Sequence, residues 1–172
     1  MKYFFDTEFI EDGKTIDLIS IGIVAEDGRE LYCVNQDAKL HLANDWVRAN
    51  VLPHLPKYDD NKTWLKHYEI REKVKEFIFD PYNNLLIQDK TPSKEDEIEM
   101  WGYFADYDWV AFCQLFGTMI CLPYCFPKFC MDLKQLSVMK GNPQHPKQMS
   151  TEHNALEDAR WNKQLYDYLI KL

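Results

Sequence analysis

Four carboxylates and a histidine fall into three short segments of this chain: Asp6-Thr7-Glu8, Asp108, and His153-Asn154-Ala155-Leu156-Glu157-Asp158. Together they are a residue set that could serve phosphodiester hydrolysis with two metal ions. On a strand over Tyr3 to Ile10, alternation puts Phe4, Asp6 and Glu8 on one face and Tyr3, Phe5, Thr7 and Phe9 on the other. Two carboxylates then project together from a strand otherwise made of aromatics. Unpaired carboxylates are costly against that apolar background, and their repulsion falls away when a divalent cation sits between them. All-oxygen ligands suit Mg²⁺ or Mn²⁺.

Each segment alone has a bland reading: Asp6 and Glu8 as a solvated edge, Asp108 as a helix cap, His153 and Asp158 as surface residues near a helix start. What outweighs these is the ordered triple. Taken together, Phe5-Asp6-Thr7-Glu8-Phe9-Ile10-Glu11-Asp12-Gly13, Tyr107-Asp108-Trp109-Val110 with Cys113-Gln114-Leu115-Phe116-Gly117, and His153-Asn154-Ala155-Leu156-Glu157-Asp158-Ala159-Arg160 resemble the DEDDh class of 3′–5′ exonucleases. That class includes ribonuclease T, oligoribonuclease and proofreading subunits of DNA polymerases. The segments look most like its small bacterial exoribonuclease branch, typified by a mycobacterial polyadenylate-degrading enzyme. They occur in family order.

The resemblance implies a ribonuclease H-like α/β fold and two divalent cations, Mg²⁺ or Mn²⁺. It implies that Asp6 bridges both ions, that Glu8 and Asp158 complete the site that activates water, and that Asp108 holds the second ion directly or through water. His153 would take the proton of the attacking water, a role suited to an imidazole whose ordinary pKa is about 6.5. The implied product is a nucleoside 5′-monophosphate released from the 3′ end of single-stranded RNA or a 3′ overhang. Relatives of this kind are commonly dimers, so a homodimer is expected.

Substrate contacts are read from the residues themselves. Phe9 and Trp109 adjoin the metal-ligand candidates and could stack bases, or equally belong to the core. Between Lys128 and Ser150, Lys128, Lys134, Lys140 and Lys147 face a single acid, Asp132, and Lys134, Lys140 and Lys147 are candidates for the upstream phosphate backbone. A solvated loop is the alternative there. A DNA exonuclease of the same fold would share every catalytic residue, whereas a non-catalytic nucleic-acid-binding module need not keep all five.

Three remote segments must be brought together by the elements between them. Strands are expected over 2–10, 16–25 and 30–35, joined through Asp12-Gly13 and Asp27-Gly28 into an antiparallel meander. Asn44 or Asp45 caps a short helix that Pro53 stops, residues 53–63 read as loop, and Ile70, Val74, Phe77 and Ile78 mark an amphipathic helix over 66–79. Residues 80–96 read as a long excursion. A buried strand over 97–104, a helix from Asp108 to Phe116 ended by Gly117, and a short strand over 129–133 come next. A last helix is capped by Asn154, with Glu157 three residues on and an apolar stripe of Leu165, Tyr168, Leu169 and Leu172. Hairpins succeeded by alternating helices and strands predict a mixed sheet with helices on its faces.

At 172 residues, 46% of them hydrophobic and 15% aromatic, the chain reads as one globular domain over 1–172. No stretch reaches the ~20 apolar residues that span a bilayer, and no basic segment leads into an apolar signal region, so a cytoplasmic location without membrane attachment is expected. Five cysteines, an odd number, read as reduced core thiols, and Cys121, Cys125 and Cys130 lack the paired spacing of a zinc site. The net charge of −8 runs against a nucleic-acid partner. Bound cations would answer that objection where it matters, because two of them add four positive charges at the scissile phosphate.

Overall fold

Two Asp-Gly pairs fold the start of the chain into a meander of β1 (Lys2–Glu11), β2 (Ile16–Ala25) and β3 (Glu30–Asn35). Gly13 and Gly28 take the left-handed conformations these turns require, with φ of 78° and 90°. The preceding aspartates close the turns: Asp12 Oδ1 accepts the Lys14 and Thr15 N–H groups at 2.9 and 2.7 Å, and Asp27 Oδ1 accepts that of Arg29 at 3.1 Å. The computed structural model describes residues 1–58, 62–87, 97–149 and 152–172.

The meander is the antiparallel half of a six-stranded sheet ordered β4-β3-β2-β1-β5-β6. Strands β4 (Trp64–Leu65), β5 (Glu99–Gly102) and β6 (Met131–Asp132) join in parallel. Alternation along β1 divides the core. Tyr3 and Phe5 enter a cluster with Ile70, Val74 and Ile78 of α2 (His67–Ile87) and Phe112 of α3 (Asp106–Gln114). Phe4 faces Leu133 of α4 (Leu133–Met139) and Leu165 and Leu169 of α5 (Ala155–Leu169). A third cluster sets Ile10 and Ile19 against Val47 of α1 (Asp45–Asn50). The result is the expected α/β architecture, a mixed sheet flanked by helices and compatible with the ribonuclease H-like fold.

Several elements depart from expectation. Helix α2 does not stop at 79 but runs through Pro81 to Ile87, into the segment expected as an excursion; residues 88–96 of that segment, and 59–61 of the expected loop, lie outside the described residues. Proline lacks the N–H that would bond the carbonyl four residues back. That carbonyl, of Phe77, accepts Arg29 Nη1 at 2.8 Å instead. Strand β5 is shorter than 97–104, and the short strand over 129–133 reduces to two residues because α4 begins at once. Asp132 caps α4 by accepting the Gln135 N–H at 2.7 Å, while its second oxygen takes the Ala105 N–H at 2.9 Å. Of the five thiols, Cys33 is buried and Cys113 and Cys130 half-buried, but Cys121 and Cys125 are exposed, so an apolar setting holds for three. Among the described residues no helix is long and apolar enough to cross a membrane.

Strand β5 leaves β1 early. Its pairing ends at Phe4 and Trp101, and Gly102 turns away where a Cβ would meet Ala105 Cβ at 2.6 Å. The next groups on that edge of β1, the Phe5 carbonyl and the Thr7 N–H, are taken by side chains: Asn162 Nδ2 of α5 donates to Phe5 O at 2.9 Å, and the Thr7 N–H donates to Asp108 Oδ1 of α3 at 2.9 Å. The edge left open by β5 therefore docks two helices, each bearing a candidate carboxylate.

Candidate active site

Asp6 and Glu8 project from β1 toward α5, as alternation requires. Opposite Asp6 on β2 stands Gly22. A Cβ there would lie 2.2 Å from the Ala155 carbonyl oxygen and 2.4 Å from the Leu156 nitrogen, so the first turn of α5 rests directly on the β2 backbone. Asn154 caps that turn, its side-chain oxygen accepting the Leu156 and Glu157 N–H groups at 3.2 and 3.3 Å. Glu157 pairs with Arg160, which also grips Glu30 of β3 through Nε at 2.9 Å. Asp158 thereby reaches the strand carboxylates. Ligand oxygens of Asp6, Glu8 and Asp158 lie within 4.8 Å of one another.

Asp108 approaches from the other side of β1, in the first turn of α3. Both of its bonds from Thr7 fall on Oδ1, one from the backbone N–H and one from Oγ1 at 2.6 Å. It is 8% exposed, as is Glu8, while Asp6 and Asp158 are half-buried. Burial raises all four acids. Glu8 is pushed up to about 8 by burial, then by the Asp158 and Asp108 charges. Asp6 is held well above the carboxylate range by burial, then by Asp108, Asp158 and Glu8. Asp108 rises to about 6 through burial although the Thr7 bonds pull it down, and Asp158 rises through burial against opposing pulls from Gln148 and His153. Repelling carboxylates with oxygen-only donors suit a hard divalent cation, which their repulsion favours.

His153 precedes the Asn154 cap in the left-handed conformation, φ 64°. Its N–H donates to Asp158 Oδ2 at 3.0 Å, and its ring meets the Trp46 ring edge-on with centroids 4.8 Å apart. The other Asp158 oxygen accepts Gln148 Nε2 at 2.6 Å.

The structure sorts the candidate substrate contacts. Phe9 lies parallel to Tyr107, centroids 6.0 Å apart, and Tyr107 is exposed. Trp109 instead packs on Phe5 and Phe112, the latter stacked at 5.1 Å, so its ring joins the core under α3. Lys134 lies in α4, Lys140 caps its C-terminus, and Lys147 precedes the Gln148 that touches Asp158. Thr7, Gly22, Trp46, Tyr107 and Gln148 escaped the reading of the sequence. Of these only Gly22 carried a signal, since a glycine inside a strand marks close approach of another backbone.

A cluster of acidic oxygens on an inner strand of a mixed sheet, set against the first turn of α5, is compatible with a nuclease-type α/β enzyme. The profile of the 3′-5′ exoribonuclease Rv2179c-like domain matches residues 1–170, and the chain belongs to that family. It is 46% identical over 160 residues to "3′-5′ exoribonuclease Rv2179c" of Mycobacterium tuberculosis strain H37Rv, covering 93% of this chain and 88% of that protein. The same figures hold for "3′-5′ exoribonuclease MT2234.1" of strain CDC 1551. Among solved structures, that of the yeast NOT1 MIF4G domain co-crystallized with CAF1 aligns over 98% of this chain and 80% of that one, with a TM-score of 0.47 and 9% identity, a likeness too slight to bear on fold or function.

Proposed function

We propose that this protein is a metal-dependent 3′–5′ exoribonuclease of the DEDDh type, releasing nucleoside 5′-monophosphates from single-stranded RNA or 3′ overhangs. The observation that carries the reading is the convergence of Asp6, Glu8 and Asp158 oxygens within 4.8 Å, in a chain of an exoribonuclease family.

Asp6, Glu8 and Asp158, with Asp108 through the oxygen that Thr7 leaves free, would hold two divalent cations, Mg²⁺ or Mn²⁺. Such cations supply positive charge to the scissile phosphate and ease deprotonation of water. The chain supplies the rest. Gly22 admits the α5 turn that carries Asp158. His153 takes the proton of the attacking water on a ring nitrogen, its imidazole steadied by Trp46 and its backbone by Asp158. Half-buried Phe9 and exposed Tyr107, stacked on one another, offer a flat aromatic surface beside the pocket, where a base can stack without sequence preference. Lys147, next to Gln148, is the best placed of the three lysines to meet backbone phosphate.

The test is digestion of 5′-labelled single-stranded RNA with Mg²⁺, Mn²⁺ or chelator. We expect progressive 3′ shortening with cation, none with chelator, and none on RNA ending in a 3′-phosphate. Cleavage of a circular RNA would overturn the direction, and faster digestion of matched DNA would establish the DNA exonuclease instead.

A further inference from the structure

After α4 the chain runs from Asn142 to Met149 without regular secondary structure, yet it is pinned repeatedly. The Asn142 N–H donates to Ser137 O at 2.9 Å. His145 Nε2 and the fully buried Ser137 hydroxyl are 2.7 Å apart, and the imidazole meets the Tyr103 ring edge-on at 5.7 Å between centroids. Trp161 Nε1 of α5 donates to Pro146 O at 3.0 Å. Two residues on, Gln148 Nε2 donates to Asp158 Oδ1 at 2.6 Å. An irregular segment is thus braced against α4, Tyr103 just beyond β5, and α5 so that it ends on one carboxylate oxygen.

We propose that Gln148 is the positioning residue for Asp158, an inference that rests on Asp158 as a cation ligand. A carboxylate in a helical first turn can rotate about its last bond. Donors on both oxygens, the His153 N–H on Oδ2 and the Gln148 amide on Oδ1, fix its plane and leave each oxygen a lone pair for a cation. The amide is neutral. A lysine here would orient the same oxygen but repel the incoming cation, whereas glutamine orients it without opposing charge.

The test uses Gln148→Met, which keeps side-chain length and removes the donor, and Gln148→Asn, which keeps an amide one methylene short. Mn²⁺ binding is measured calorimetrically without RNA, and turnover is measured against Mn²⁺ concentration. Both variants should bind Mn²⁺ about 10–100-fold more weakly, with turnover recovering at saturating cation. Wild-type affinity in either folded variant would overturn the proposal, as would a turnover defect that saturating Mn²⁺ does not relieve. Failure of the wild-type protein to bind Mn²⁺ would instead overturn the cation reading beneath it.

Discussion

Gly22 of β2 and Ala155 of α5 touch backbone to backbone: a methyl group on the glycine would sit 2.2 Å from the Ala155 carbonyl oxygen. Because Gly22 is also the register partner of Asp6, this approach sets how near Asp158 comes to the strand carboxylates. Gly22→Ala must therefore push the α5 turn outward. We expect a loss of about 1–3 kcal/mol in stability, typical of overpacking, together with weaker Mn²⁺ binding. Thermal unfolding and Mn²⁺ titration check both, and unchanged affinity would show that the contact does not set the pocket.

Neutralising one acid separates repulsion from fold. Asp6→Asn should abolish hydrolysis, yet raise the cation-free melting temperature, because burial and three carboxylates already disfavour its charge. For a chain of this size each kcal/mol relieved corresponds to about 2–4 °C. A variant with near wild-type turnover would remove Asp6 from the site.

The raised acids fix the sign of the pH dependence. Glu8 moves from 4.5 to about 8 and Asp108 from 3.8 to about 6 on folding. Between each pair of values the folded chain holds a proton that the unfolded chain has lost, so stability falls as pH rises. Cation-free protein should melt at progressively lower temperature from about pH 5 to pH 8. Saturating Mg²⁺ should flatten the trend. Scans in chelator that stay level or rise over this window would contradict the assignment.

His153→Ala should reduce turnover by about 10²–10⁴-fold, the range for a general base, while Mn²⁺ affinity holds. Trp46→Ala should give a smaller loss of the same kind, since it removes only the edge-on support of the imidazole. If His153→Ala abolishes Mn²⁺ binding and leaves turnover normal at saturating cation, the imidazole serves the cation and not the proton.

Thr7→Val removes one of two bonds to Asp108 Oδ1 and keeps the shape of the side chain. A hydrogen bond to a charged group contributes about 1.5–3 kcal/mol, and that range sets the expected loss in urea unfolding. No loss would mean that the backbone N–H alone suffices.

Local chemistry made much of this protein legible. Asp12-Gly13 and Asp27-Gly28 specified their turns within four residues, and Asn154 was recognisable as a cap from its position three residues before Glu157. Hidden features depended on distant partners. Helix α2 passes Pro81, and the Phe77 carbonyl that the proline leaves without its helical donor is met by Arg29, 48 positions away. Helix α4, only seven residues long, starts on Asp132, which is held in turn by Ala105. In the same way the acids stood in recognisable motifs, while Gln148 and Trp46 meet Asp158 and His153 only because the fold carries them there.

The bond from Asn162 to the Phe5 carbonyl spans 157 positions, and it fastens to β1 the helix that bears Asp158. A chain emerging from the ribosome presents Asp6 and Glu8 early but waits for α5 before their third partner arrives. On the proposed reading, hydrolytic competence requires that α5 dock on β1. A nascent exoribonuclease would remain inert toward the message that encodes it until α5 has left the tunnel and settled on β1.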